Sequence, residues 1–534
     1  MNKLDENKIR ELFSPILFLC VGYVIVVSYI FLYHDKIITS DNAADLILAN
    51  LLNKEGALWT KNFFYSTEII LFDTQFVFKP ALLLFPGDWT AARLFASATM
   101  LLICFISMLF FVRSLKIGPR GLWAVAFCAF PIGARYVITV SYGAFYIPHL
   151  VFSFVVLAIF FYSLKVDKNK FLCISVIGFV ISMLSGMRSI RTLMQLNIPL
   201  FLTALVLFLI ERYGLWGKVK FLSRERRYGK KALVSASVML ISSVIGYGFN
   251  VLWLSGHFYY TDYNTSTWSF FSLTKMISCV SDYIGSFGYH EGTEILSVAG
   301  ISSLFGLLIG IAVFLAMLLL LFKFSDILTD EEYFMVLYTF ILFCLCVFIF
   351  AHNDVYFYQY WVPVMPFGYI VLAIAIKYIY LKKPNLNKLK YDILIGLIPF
   401  FACIGWLLMP FTTSDDSWSL LPVAYWLNDN MEYTKGIATF WNSDIITELS
   451  DGRIEMWTVD GFEEMNCYTF LQETSHWNLP EDDVFVIMSY DEYALAEQNL
   501  LDEYVVFDSG EYKVLVFNSG NEGREIILSA VSKE

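Results

Sequence analysis

The chain has 534 residues, of which 58% are hydrophobic, 18% aromatic and only 16% charged. Soluble domains average about 45–50% apolar and about 25% charged residues, so composition excludes a soluble enzyme and points to a multi-pass α-helical membrane protein. A net charge of −11 also excludes a nucleic-acid binder, because phosphate would be repelled.

A helix needs about 20 apolar residues to cross the hydrocarbon core. In chain order the hydropathy pattern predicts eleven spans, at 14–33, 92–112, 119–138, 145–164, 171–187, 193–211, 232–254, 298–322, 333–351, 360–380 and 392–409. The first is too long for the apolar region of a cleaved signal and reads as a retained span. With the N-terminus inside, alternate loops collect 23 of the 37 Lys and Arg residues, from Lys3, Lys8 and Arg10 to the basic group at 377–390. That is the positive-inside pattern of an inner or plasma membrane protein with a cytoplasmic N-terminus. An odd number of spans then puts the C-terminus outside.

Charge also divides the chain. Asp415 to Glu534 hold 25 acidic residues against 5 basic ones, leaving +9 for everything before them. The break predicts a basic polytopic domain over 1–410, with large outer loops at 34–91 and 255–297, and an acidic, soluble, extracytoplasmic domain over 411–534. Most of the nine cysteines lie inside apolar runs and read as small core residues.

In the first outer loop, SDNAADLILANLLNKEG predicts a helix along the membrane surface. Ser40 is its expected N-cap, Asp41 its first helical residue and Gly56 its end. Asp45 follows one turn later on the same side. The rest of the loop carries Glu68 and Asp73 and is broken by Pro80 and Pro86, so it reads as a second interfacial segment. The next outer loop, SYGAFYIPH, offers Tyr142, Tyr146 and His149.

Between the fifth and sixth spans, SGMRSIRTLMQL places Arg188 and Arg191 three apart, on one helical face, at the outer side. A cation near membrane depth costs about 2.5–3.5 kcal/mol unless paired or snorkelling. A lipid phosphate would satisfy the pair, and so would an Asp or Glu of the same chain. In the 255–297 loop, residues 270–283 read as an amphipathic helix with Lys275 and Asp282 on its polar side. His290-Glu291 has no second ligand at metal-like spacing. His352 ends the ninth span on the outer side. Beyond 417, alternating helical and strand patterns predict a small α/β layer. There Trp441-Asn442-Ser443 marks a strand-to-helix turn that either caps a helix or meets a ligand.

This order of parts resembles the GT-C class of membrane glycosyltransferases, which use polyprenyl-phosphate sugars. The resemblance rests on one span, a large outer loop opening on an acid (SDNAAD), a G-x-R-x-x-R junction (Gly186, Arg188, Arg191), a late aromatic and proline-rich run (YFYQYWVPVMPF) and an outer α/β domain. It implies that Asp41 acts as general base or orients the acceptor while a lipid phosphate leaves the sugar. Two features depart from the class: the SYGAFYIPH loop lacks a carboxylate, and Gln359-Tyr360 stands where an Arg-Tyr pair is common.

The chemistry is coherent on its own. A carboxylate can take the acceptor hydroxyl's proton, and arginines can stabilise a departing phosphate. The expectation is therefore a glycosyltransferase moving a sugar from a polyprenyl-phosphate donor to a glycan, lipid or protein acceptor of the cell envelope, on the extracytoplasmic face. Asp41 is the catalytic candidate, Arg188 and Arg191 the donor-phosphate candidates. Asp45, Glu68, Tyr142, Tyr146, His149 and His352 are further substrate-contact candidates. No cofactor and no metal ligands are assigned, and a divalent-metal requirement is left open. The alternatives are a transporter or flippase for lipid-linked saccharides, for which broken helices near Gly133-Ala134-Arg135 or Pro199 would speak, a polysaccharide polymerase or ligase, and a non-enzymatic envelope scaffold.

Overall fold

The computed structural model describes residues 3–66, 69–133, 136–215, 229–261, 268–270, 272–289, 293–353, 356–382, 388–408, 417–495 and 504–531. Four of its early helices frame the site: α1 (Lys3–Ile37), α2 (Ser40–Glu55), α3 (Gln75–Leu84) and α4 (Trp89–Ser114). Among the described residues nine helices are long and apolar enough to cross a membrane. They are Glu11–Ile37 of α1, α4, Ile147–Lys165, Lys168–Arg188, Ile190–Arg212, Gly229–Gly256, Val298–Phe322, Asp330–Ala351 and Met365–Lys382. Helix Lys388–Leu408, with Pro399 inside, occupies the last expected span.

The remaining expected span, 119–138, is not one helix. Helix Leu122–Ala129 stops at Phe130, whose backbone turns extended (φ −88°, ψ 125°), and a π-helical turn over Val137–Tyr142 resumes the path. Pro131 is the physical cause: it has no N–H to donate and forces the residue before it out of the helical region. Gly133 then takes φ +93°, a conformation suited to glycine. Such irregular backbone survives at membrane depth only where protein surrounds it. Here residues 123–133 and 136–142 are buried, and the Tyr136 hydroxyl donates to the freed Cys128 carbonyl at 2.6 Å.

Ion pairs gather the loops predicted to be cytoplasmic at one end of the bundle. Arg120 meets Asp392 at 2.6 Å, Lys388 meets Glu11 at 2.7 Å and Lys165 meets Glu331 at 3.2 Å. The basic segment at 216–228 lies outside the described residues. From Glu11, α1 runs 27 residues, about 40 Å at 1.5 Å per residue, to the opposite end.

At that opposite end the chain builds its polar architecture. Strands β1 (Phe63–Tyr65), β2 (Tyr259–Tyr260), β3 (Lys435–Thr439), β4 (Glu455–Val459), β5 (Gln472–Glu473), β6 (Val484–Ser489), β7 (Val505–Asp508) and β8 (Tyr512–Phe517) form two sheets. The larger has the order β4-β3-β6-β8-β7, with β3 parallel to β4 and β6, and β8 antiparallel to β6 and β7. Strands β3, β6 and β8 have mainly buried apolar residues, as befits a sheet covered on both faces. The smaller sheet, β2-β1-β5, stitches both outer loops to the C-terminal unit, with Phe64 paired to Tyr259 on one side and Gln472 on the other.

Helix α2 departs from its expected setting in two ways. Its N-cap is Thr39, whose hydroxyl accepts the Asn42 N–H at 3.4 Å; Ser40 is already helical and donates instead to the Phe440 carbonyl at 2.5 Å. Nor does α2 lie open along a membrane surface. It packs between α3 and helix Phe440–Leu449, which buries Ala43, Ala44, Leu46 and Leu52. Gly56 does end it, in the left-handed conformation (φ +64°).

One buried charge pair holds the C-terminal unit to the bundle. Arg93 of α4 donates to the Glu448 carboxylate and, at 2.6 Å, to the Asn42 carbonyl, with its guanidinium 4.9 Å from the Tyr142 ring. A buried pair of this kind is costly to break, because removing one partner strands the other charge out of water.

Candidate active site

A cavity of about 640 Å³ opens where α2, the Arg188–Arg191 junction and the C-terminal unit meet. Helix α2 contributes Asp41, Ala44, Asp45 and Leu48 to its wall, one residue per turn-related position. The following loop adds Asp73 and Thr74. Phe145 and Tyr146, Arg188 and Arg191, and Gln359 and Tyr360 complete the bundle side, while Thr439, Trp441, Asp460, Tyr468 and Phe470 belong to the C-terminal unit.

Local backbone explains how the two arginines arrive there. Helix Lys168–Arg188 ends at Ser189, whose backbone is extended (φ −169°, ψ 148°), and the Ser189 hydroxyl caps the next helix by accepting the Arg191 N–H at 3.0 Å. The arginines therefore do not share one helical face, as the i, i+3 spacing suggests; a break separates them. Gly186 and Gly246 let helices Lys168–Arg188 and Gly229–Leu252 touch backbone to backbone, since a Cβ at either would run into the other helix's carbonyl.

The two guanidiniums have different neighbours. Arg188 is buried, contacts both oxygens of Asp73 at 3.3 Å and donates to the Phe145 carbonyl at 2.8 Å. Arg191 lies over two aromatic rings, 5.1 Å from Tyr146 and 4.9 Å from Tyr360. Such cation–π contact orients a planar fork without neutralising its charge.

Three carboxyls on the bundle side line the same cavity. Burial raises Asp41 from 3.8 to about 6. Burial, reinforced by the nearby Asp73, pushes Asp45 well above the ordinary carboxylate range, although Thr74 donates to it at 2.8 Å. Asp73 is also raised by burial, with Arg188 pulling the other way. A fourth carboxyl, Asp444 of helix Phe440–Leu449, is buried behind the wall and strongly raised, bonded by Gln472 at 2.6 Å.

Of the residues singled out from the sequence, Asp41, Asp45, Tyr146, Arg188 and Arg191 share this cavity. Tyr142, His149 and His352 do not line it. Tyr142 is buried beside the docking pair, its hydroxyl 3.5 Å from Glu448. His149 is buried with Nδ1 3.4 Å from the Thr192 hydroxyl. His352 bonds the Phe348 carbonyl at 2.8 Å and packs near Trp268. Glu68, Arg135, His290 and Glu291 lie outside the described residues. Ser443 does not cap a helix and does not line the cavity: the helix begins at Phe440, and Ser443 bonds Thr458 at 2.8 Å. Trp441, marked in the sequence at a strand-to-helix turn, and Asp73, marked there as a loop acid without a role, also line it; Tyr360 stood out only as half of the atypical Gln359-Tyr360 pair.

Comparison of the sequence with protein-family models and with curated proteins gives no match. Comparison of the structure does. The crystal structure of ArnT from Cupriavidus metallidurans in the apo state is similar over 97% of this chain and 99% of its own, with a TM-score of 0.56 at 13% identity. The same protein bound to undecaprenyl phosphate is similar over 94% and 97%, with a TM-score of 0.53 at 15% identity. Likeness at this identity shows the fold, a bundle of apolar helices with a C-terminal sheet-containing unit.

Proposed function

We propose that this protein is a membrane glycosyltransferase that moves a sugar from a polyprenyl-phosphate donor to a cell-envelope acceptor. The observation that carries the reading is the meeting of Asp41 with Arg188 and Arg191 in one cavity at the end of the bundle. The ArnT structure with undecaprenyl phosphate supports the donor class by likeness of fold. The basic loops at the Glu11 end support a cytoplasmic N-terminus, with the cavity and the acidic unit beyond 410 on the extracytoplasmic side.

In this reading Asp41 takes the proton of the acceptor hydroxyl as that oxygen bonds to the anomeric carbon. The carbon–oxygen bond to phosphate breaks, and polyprenyl phosphate leaves with the bonding pair. A carboxyl at about 6 is still largely ionised at neutral pH, yet is a stronger base than one at 3.8. Arg191, held over Tyr146 and Tyr360, meets the charge that develops on the phosphate, and Arg188 fixes the same wall through Asp73.

The test is transfer of labelled sugar from a synthetic polyprenyl-phosphate sugar to envelope extract by purified protein in nanodiscs. Asp41→Asn should lower the rate by about 10²–10⁴-fold, the usual share of general-base catalysis. Equal turnover by the variant removes Asp41 from the mechanism.

A further inference from the structure

We infer that the C-terminal unit supplies the acceptor subsite, and that the acceptor it takes is an uncharged carbohydrate. The inference rests on the transferase reading of the cavity and deepens it. Two observations carry it, one of shape and one of charge.

The shape is an aromatic wall. Phe440, Trp441, Tyr468 and Phe470 cluster with ring centroids 5.0–5.9 Å apart, and all four line the cavity. Trp441 remains 56% exposed while its neighbour Phe440 is buried against the others. Packing of the unit itself therefore uses Phe440, and leaves the Trp441 indole facing open space. The electron-rich face of an indole suits the weakly positive C–H face of a pyranose. Asp460 lies on the same wall, its carboxylate anchored by the Asn466 backbone N–H at 3.0 Å. It has lone pairs to accept sugar hydroxyls. A sparse polar group among aromatic faces is how a ligand pocket fixes orientation.

The charge is one-sided. Among the described lining residues, the cavity's cations are Arg188 and Arg191, both on the bundle side, and the C-terminal wall has none. The unit beyond 414 carries 25 acids and 5 bases. That field repels phosphorylated or uronate-bearing acceptors, while leaving neutral glycans unaffected. The anionic donor and the neutral acceptor thus occupy opposite walls. The Ser40–Phe440 bond at 2.5 Å joins them, putting the aromatic wall against the helix turn that bears Asp41.

The experiment is calorimetric titration of the full-length protein in nanodiscs with neutral gluco-, manno-, galacto- and N-acetylglucosamine-type tetrasaccharides, with tetragalacturonate, and with polyprenyl phosphate. At least one neutral tetrasaccharide should bind about tenfold or more tighter than tetragalacturonate, and Trp441→Ala should weaken it by about tenfold while leaving polyprenyl phosphate affinity unchanged. Trp441→Phe, which keeps a smaller aromatic face, should retain part of the affinity. Absence of binding by every neutral saccharide, equal binding of tetragalacturonate, or indifference to Trp441→Ala would overturn the inference. Loss of polyprenyl phosphate binding in Trp441→Ala would assign the wall to the lipid tail and overturn it too. Saccharide binding that survives in a protein with no donor turnover would sink the transferase reading alone.

Discussion

Replacing Asp41 with asparagine should move activity and stability in opposite directions. Burial holds the Asp41 carboxyl at about 6 against an ordinary 3.8. The folded protein therefore disfavours the anion by about 3 kcal/mol compared with water. Because the folded value is the higher one, the native state keeps a proton that the unfolded chain has released between pH 3.8 and about 6. Stability contributed by this group is present below that window and lost as pH rises through it. Asparagine carries no charge at any of these pH values. At neutral pH it should raise stability by up to about 3 kcal/mol and flatten the part of the stability profile that falls between pH 3.8 and about 6. The same variant loses the base, and the acid limb of the wild-type rate profile, with its break near 6, should vanish with it. Thermal unfolding in nanodiscs across this pH range, with kcat/KM measured on the same samples, reads both effects. An Asp41→Asn protein that melts lower than wild type, or a wild-type rate profile that breaks near the ordinary carboxylate value, would refute the environment assigned to this carboxyl.

Three further variants probe the frame of the site. Glu448→Ala strands the Arg93 guanidinium and should cost about 3–5 kcal/mol, read as easier proteolytic release of the C-terminal unit; replacing both partners with methionine should restore most of the loss. Asp73→Asn removes the carboxylate through which Arg188 fixes the wall and should weaken polyprenyl phosphate binding by about tenfold, measured by titration; tighter binding would mean that Asp73 competes with the phosphate for the arginine. Gly186→Ala forces a methyl against the Ser243 carbonyl and should cost about 1–3 kcal/mol as overpacking, with donor affinity falling because the Arg188 segment must shift. An unchanged melting temperature and donor affinity would show that the two helices can separate freely.

Periodicity and hydropathy are sums over neighbours in the chain, and what depends on neighbours was legible. The spans around residues 14–33, 92–112 and 298–322, the helix ended by Gly56, and the acidic strand-and-helix unit after 417 all follow from local runs. The broken crossing at 119–138 was also written locally, in Phe130-Pro131-Ile132-Gly133, but an apolar sum over the window hides a proline that costs the helix and not the hydropathy. The Asp41 position was visible because a carboxylate opening a helix is a local pattern; its raised pKa was not, since desolvation depends on what the fold packs around the carboxyl.

Sequence alone determined that this chain enters a bilayer many times and carries its negative charge in one terminal unit, because solvent preference is a property of each residue. Only tertiary structure decided that Arg188 faces Asp73 and that Arg93 locks onto Glu448. It also decided that Trp441 and Asp41 look into the same space. Those relations join residues 115 to 400 positions apart. A buried charge accepts whichever partner the fold brings within hydrogen-bond reach, so the identity of that partner is a property of the folded chain and of nothing shorter.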